Sequence, residues 1–361
     1  MKAVFDPAQS AYRPGRIMAN GSFVPAPETP ERAQTFLDAL GDLGIVPVPP
    51  PDNGLAALAA VHDQRYLTFL QTILPRWRRI PGAPEEVVPN LHPVSRAGEA
   101  SGGYPASAVG QVGYHIMDGA APINAETWGS AYASAQSAVH AADLVLGGEA
   151  LVYALCRPPG HHAARDLAGG FCFLNNAAIA AERLRSRHPR VAILDVDVHH
   201  GNGTQQIFYA RGDVLTVSLH ADPVRFYPFF WGYADETGAG AGEGCNLNIP
   251  LARGTGDDDY FAALERALNQ VTDFAPDALV IALGLDAHVD DPVQGLAITT
   301  RGFGRIAARI AELRLPCVVV QEGGYASDAL GHNLRAAIGA FLAGPKPSRR
   351  AGAAQRAESA S

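Results

Sequence analysis

The sequence predicts an α/β fold, a central and mostly parallel sheet with helices on both faces, and three observations carry that expectation. From about residue 130 onward, short apolar runs rich in Val, Ile and Leu alternate with longer segments of helical period. The apolar runs are continuous rather than alternating, as strands covered on both faces require. Ionisable residues cluster directly after those runs, where a parallel sheet leaves its carboxyl edge free for ligands.

In chain order, the first 130 residues are the least regular. "TPERAQTFLDALGDLG" and "AALAAVHDQRYLTFLQTIL" have helical spacing and read as two helices. Residues 81–113 are rich in Pro and Gly and lack a period. A loop that long in a compact chain usually serves a function, and a lid, pocket wall or subunit contact is expected there. "SAYASAQSAVHAADLVLGG" is an Ala-rich helix stopped by a Gly pair. Strands are expected at 150–156, 191–197, 214–219, 278–284 and 317–321. Helices "NNAAIAAERLRSR", "DDDYFAALERALNQVTDF" and "TRGFGRIAARIAEL" lie between them. Residues 344–361 read as a solvated tail.

Composition narrows the function. A net charge of −8 argues against a nucleic-acid footprint, which is normally basic. Cys156, Cys172, Cys245 and Cys317 are far apart and form no C-x-x-C pair, so neither a disulfide framework nor a thiolate metal site is expected, and a reducing cytoplasm is the simpler setting. The first residues, "MKAVFDPAQS", carry no signal-like apolar stretch, and no window has 18 uninterrupted apolar residues, so no membrane association is expected.

The loops after the strands carry the chemistry. After "ALVYALC" comes "RPPGHHA", after "VAIL" comes "DVDVHHGNG", after "VLTVS" comes "LHADP", after "ALVIALG" comes "LDAHVDDP", and after "CVVVQ" comes "EGGY". One sheet edge thus receives His161, His162, Asp195, Asp197, His199, His200, His220, Asp286 and Tyr325. If the strand persists, Asp195, Asp197 and His199 share a face. Two carboxylates and an imidazole from Asp197, His199 and Asp286 form a three-ligand set that leaves a position open for water or substrate, as a catalytic zinc site does. The competing reading is a hydrogen-bonded Asp/His cluster without metal. Asp195 is the candidate to orient one ring of the His161–His162 tandem.

Taken together and in order, "RPPGHHA", "GGFCFLNNAAIAA", "ILDVDVHHGNGTQQIFY", "SLHADP", "GLDAHVDDP" and "EGGY" resemble the zinc-dependent histone deacetylase superfamily over roughly residues 10–342. "FYPFFWGYADETGAGAGEG" is most similar to its bacterial acetylpolyamine amidohydrolase and histone deacetylase-like amidohydrolase branch. The resemblance implies a three-layer arginase/deacetylase fold with about eight strands, a single deacetylase domain over 1–343 with the 81–113 loop near the entrance, and a homodimer. It implies Zn²⁺ on Asp197, His199 and Asp286, and structural K⁺ on largely backbone oxygens of Asp195, Asp197, His199, Ser218 and Leu219. His161 and His162 would be the acid/base pair, with Asp195 beside His161 and Asn202 beside His162. Tyr325 would polarise the carbonyl, and Gly170, Phe171 and Tyr227 would line the acyl channel. The implied reaction is hydrolysis of a small acetylated amine, an acetyl-lysine peptide being the alternative. Where this branch carries acids for the distal amine, the chain has Val109 and Ala120, with Asp118 and Glu126 nearby but not aligned, and where a eukaryotic polyamine deacetylase carries an acid it has Val293, so the identity of the amine stays open.

Overall fold

The computed structural model describes residues 1–93 and 103–345. Positions 346–361 of the expected tail and 94–102 of the expected loop lie outside the described residues. Among those described, seven strands form one sheet: β1 (Lys2–Val4), β4 (Leu151–Ala154), β5 (Val191–Asp195), β6 (Val214–Ala221), β7 (Asn246–Leu251), β8 (Ala278–Leu283) and β9 (Cys317–Gln321). Their order is β1-β4-β9-β8-β5-β6-β7, and every neighbouring pair is parallel. β2 (Arg16–Ala19) and β3 (Ser22–Pro25) form a separate antiparallel hairpin.

The five expected strands are the interior of this sheet. Each buries both faces, and alternate side chains feed different cores. Leu194 and Val319 join one apolar cluster, whereas Ile193, Val318 and Val320 join the other. The first cluster is closed by α1 (Pro30–Asp42), α8 (Asp257–Phe274), α9 (Thr300–Ala311) and α10 (Leu330–Ala343). The second is closed by α3 (Gln64–Trp77), α5 (Thr127–Leu146) and α6 (Asn176–Arg185). The sheet has seven strands rather than about eight. Its two unforeseen members are the edges: β1 has only three residues, and β7, "NLNIPL", mixes asparagines and a proline into its apolar pattern, which edge strands tolerate.

Three local departures have physical causes. "AALAAVHDQRYLTFLQTIL" is two helices, α2 (Ala56–Ala59) and α3, the Asp63 N–H between them and the His62 ring both bonding to another loop. The Asp63 N–H donates to the Arg165 carbonyl at 3.0 Å, and His62 Nδ1 lies 3.0 Å from the Ala164 carbonyl. The expected loop 81–113 ends in α4 (Ala108–His115), capped by Ser107. Gly113 lets that helix meet the Leu91 carbonyl, which a Cβ would approach to 2.1 Å. The β2–β3 hairpin turns on Asn20 and Gly21, both at positive φ, a pairing that "NG" signals. α7 (Asn202–Phe208) begins directly after the β5 loop.

His62 also bears on acid stability. With its Nδ1–H given to Ala164, its Nε2 accepts the Asn175 N–H at 2.9 Å, so both nitrogens serve the neutral ring. Burial drives its pKa down to about 4, and burial does the same to His220. The unfolded chain takes up these protons near pH 6.5 and the folded one not until about 4, so stability is whole above 6.5 and is lost as pH falls from there toward 4. Each ring contributes on the order of 3 kcal/mol over that window. Urea midpoints should therefore fall steeply between pH 7 and 4.5, and His62→Gln should flatten the slope; an unchanged slope would refute the assignment.

Candidate active site

β5 stops at Asp195, so strand alternation does not bring Asp197 and His199 together. Carboxylates do so instead. Asp195 Oδ1 accepts the Asp197 N–H at 3.0 Å, and Asp197 Oδ1 accepts the His199 N–H at 2.9 Å, two successive turns of the kind short acidic side chains make with backbone two residues on. Asp286, just beyond β8, accepts the Val198 N–H on Oδ1 at 3.0 Å. The Gly323 N–H, beyond β9, donates to Asp197 Oδ2 at 2.7 Å. Gly323 has to be glycine, because a Cβ there would lie 2.0 Å from Asp286 Oδ2 and 2.6 Å from Asp197 Oδ2.

The result is one donor atom each from Asp197, His199 and Asp286, all within 4.8 Å of one another. Both carboxylates are fully buried, and His199 keeps slight exposure. Asp286 Oδ2 has no hydrogen-bond partner, for although His199 Nδ1 stands 3.2 Å away, that nitrogen is bonded to Asp197 Oδ1 at 3.1 Å. Two buried carboxylates against one imidazole leave negative charge uncompensated. A divalent cation taking oxygen and nitrogen donors would fit this set, and Asp286 Oδ2 is the orphan it would satisfy. Burial would raise Asp197, but the His161 and His199 rings hold its carboxyl well below the usual range. Burial and the Asp197 charge push Asp286 upward.

The histidine pair stands beside this set. Its approach is fixed by Glu322, whose Oε2 accepts the Gly160 and His161 N–H groups at 2.6 and 3.0 Å. The two ring centroids are 4.0 Å apart. His161 Nδ1 faces Asp195 Oδ2 at 2.9 Å, and its Nε2 is 3.8 Å from Asp197 Oδ1. His162 Nδ1 faces Asn202 Oδ1 at 2.7 Å. The partners divide the rings. Burial disfavours charge on His161, but Asp197 and Asp195 overcome it and push its pKa up to about 10. Burial, with His161 and His199 adding to it, drives His162 well below the ordinary histidine value.

The other expected residues are distributed around this centre. Tyr325 is buried, and its ring packs against Phe171 at 5.8 Å between centroids. Gly170 sits against the His162 ring, and Tyr227 meets that ring edge-on at 4.9 Å. Ser218 pairs in register with Asp195 across β5 and β6, its hydroxyl 2.8 Å from His220 Nδ1; Leu219 is buried beside it. His200 turns away toward Gln205 and His220, outside the metal-type set.

Sequence reasoning missed the groups that hold Tyr325. Asp291 Oδ2 accepts the Tyr325 N–H at 2.8 Å. The Arg32 guanidinium lies 4.8 Å from the Tyr325 ring centroid and donates to the Glu322 carbonyl at 2.7 Å. Glu28 bridges Arg32 and Arg157 at 2.7 and 2.8 Å, tying the Tyr325 loop to the loop before the histidines. Asp291 lies in "DDP", where position alone would have flagged it, whereas Arg32 on an amphipathic helix looks like any surface charge.

Residues 26–341 match the histone deacetylase domain. The chain is 47% identical over 342 residues to an acetylpolyamine amidohydrolase of Burkholderia pseudomallei, covering 94% of this chain and 98% of that protein. It is 40% identical over 336 residues to the acetylpolyamine amidohydrolase of Mycoplana ramosa, covering 92% and 97%. The crystal structure of acetylpolyamine aminohydrolase from Burkholderia pseudomallei superposes with a TM-score of 0.91 over 95% of this chain and 99% of that one. The chain belongs to the histone deacetylase family, on its acetylpolyamine amidohydrolase-like side, as a metal-dependent deacetylase of the hydrolase class.

Proposed function

We propose that the protein is a zinc-dependent amidohydrolase that removes the acetyl group from small N-acetylated amines, acetylpolyamines foremost. The observation that carries this reading is the meeting of two buried carboxylates and one imidazole beside a histidine pair. Support for the substrate class comes from the acetylpolyamine amidohydrolases to which the chain is 47% and 40% identical. The family match over 26–341 supports a single deacetylase unit across 1–343.

Asp197, His199 and Asp286 would hold the metal. When bound, it supplies a Lewis acid for the acetyl carbonyl and lowers the pKa of water toward roughly 7. His162, with Nδ1–H committed to the Asn202 amide, presents Nε2 as the proton acceptor for the attacking water and then returns that proton to the leaving nitrogen. His161, held through Nδ1 by the Asp195 carboxylate, would when protonated stabilise the negative charge that develops nearby. Tyr325, whose phenol burial keeps protonated, donates its O–H to the carbonyl oxygen. Gly170, Phe171 and Tyr227 flank the acyl group. Potassium on the Asp195, Asp197 and His199 backbone, with Ser218 and Leu219, belongs to the same reading, as do the homodimer and a cytoplasmic setting, which suits four free thiols.

A panel of acetylputrescine, acetylcadaverine, acetylspermidine and an acetyl-lysine peptide on zinc-loaded protein tests this. The expected result is acetate release with kcat/KM highest among the acetylpolyamines. Preference for the peptide would overturn the substrate class, and inactivity on all four with metal in place would overturn the reaction.

A further inference from the structure

We propose that Asp118 is a specificity-determining positioning residue: through one carboxylate oxygen it ties together both walls of the acyl channel and fixes their separation to suit an unbranched chain. The inference rests on the functional reading above, since it assigns Gly170–Phe171 and Tyr227 to the two walls. Asp118 lies between α4 and α5, far in sequence from either wall. Its Oδ1 accepts the Ala120 N–H at 2.8 Å, which sets the carboxylate's plane. Its Oδ2 accepts two bonds at once, from the Gly170 N–H at 2.9 Å and from the Tyr227 hydroxyl at 2.6 Å.

The first wall needs holding. Gly169 and Cys172 exchange backbone bonds of 3.1 and 2.8 Å, and between them Gly170 and Phe171 lie at φ +51° and +67°. That is the turn type with two consecutive left-handed residues, and its second position is costly for a phenylalanine. The turn tips Phe171 toward Tyr325, and the bond from Gly170 to Asp118 anchors it.

The second wall is equally confined. Tyr227 stands edge-on to His162 at 4.9 Å and 6.0 Å from His199. A Cβ on Gly170 would fall 2.4 Å from the His162 ring and 2.9 Å from the Tyr227 hydroxyl, so the two walls meet there without slack. Burial and the Asp118 charge raise the Tyr227 phenol well above its ordinary value, so it stays a donor at any working pH. Since both walls bond to the same oxygen, the channel widens only if one of those bonds breaks. An acid in this place therefore acts on substrate shape, through the aromatic it holds.

The test uses zinc-loaded full-length protein in three forms: unmodified, Asp118→Asn and Tyr227→Phe. Two ratios are read for each. One is kcat/KM for acetylputrescine over an analogue with a methyl branch on the carbon next to the amide nitrogen. The other is the Kd of a branched over a straight-chain alkyl hydroxamate, measured by calorimetry. Both variants should lose about tenfold in discrimination, the scale at which a channel senses one methyl-sized group. A general loss of packing would lower rates or melting temperature and leave the ratios alone. Unchanged ratios in either variant overturn the proposal whatever happens to absolute rates. Should the unmodified protein hydrolyse neither amide, the functional reading fails, and the hydroxamate ratio still decides whether Asp118 sets the width.

Discussion

Replacing Asp286 by Asn is expected to abolish deacetylation and metal retention while making the metal-free protein more stable. The two effects have one cause. In the metal-free site Asp286 is buried beside Asp197, and Asp286 Oδ2 has no hydrogen-bond partner. Burial and the neighbouring Asp197 raise the Asp286 pKa, so the folded chain holds this proton more tightly than the unfolded one, and ionising it costs stability as pH rises. An amide of the same shape removes that cost, worth about 1–3 kcal/mol, the usual penalty of an unsatisfied buried group. The unmodified protein should gain about 4 kcal/mol on zinc saturation at a thousandfold excess over Kd, and Asp286→Asn should gain none. Thermal melts with chelator and with zinc read both effects. A variant that still melts higher with zinc would remove Asp286 from the ligand set.

Tyr325→Phe carries the second large effect. Only the hydroxyl is lost, while the ring keeps its contacts with Phe171 and the Arg32 guanidinium, and the Asp291 bond is to backbone. kcat should fall about 10²–10³-fold, as when a single donor to a developing oxyanion is removed. KM, zinc content and melting temperature should change little, because the hydroxyl works mainly in the transition state. A full-speed variant would remove Tyr325 from the chemistry, and a parallel loss of zinc would show that it supports the metal site.

The residues explain what was readable. Strands β4, β5, β6, β8 and β9 were legible because burial on both faces demands continuous apolar runs. The edges β1 and β7 were not, because an edge strand has no such demand. The donor set was legible because its members sit just past the carboxyl ends of the strands. Side-chain alternation is not what joins them, however: β5 ends at Asp195, and backbone bonds to Asp195 and Asp197 shape the turn. Asp195 was legible as a ring's partner from its place at the same sheet edge, whereas Asn202 was legible through motif resemblance alone. Arg32 and Glu28 were hidden because nothing local separates a buried charge from a solvated one; their roles come from partners more than a hundred positions away. Asp118 was visible only as an acid near the Val109 and Ala120 positions, and its two long-range bonds reveal what it holds.

Acetate release from acetylputrescine by one preparation, chelated and then given one equivalent of zinc per chain, tests the central claim most directly. A zinc-dependent amidohydrolase should show no release when chelated and full recovery at that equivalence. Release that chelation leaves untouched, or none after zinc is bound, would contradict the claim.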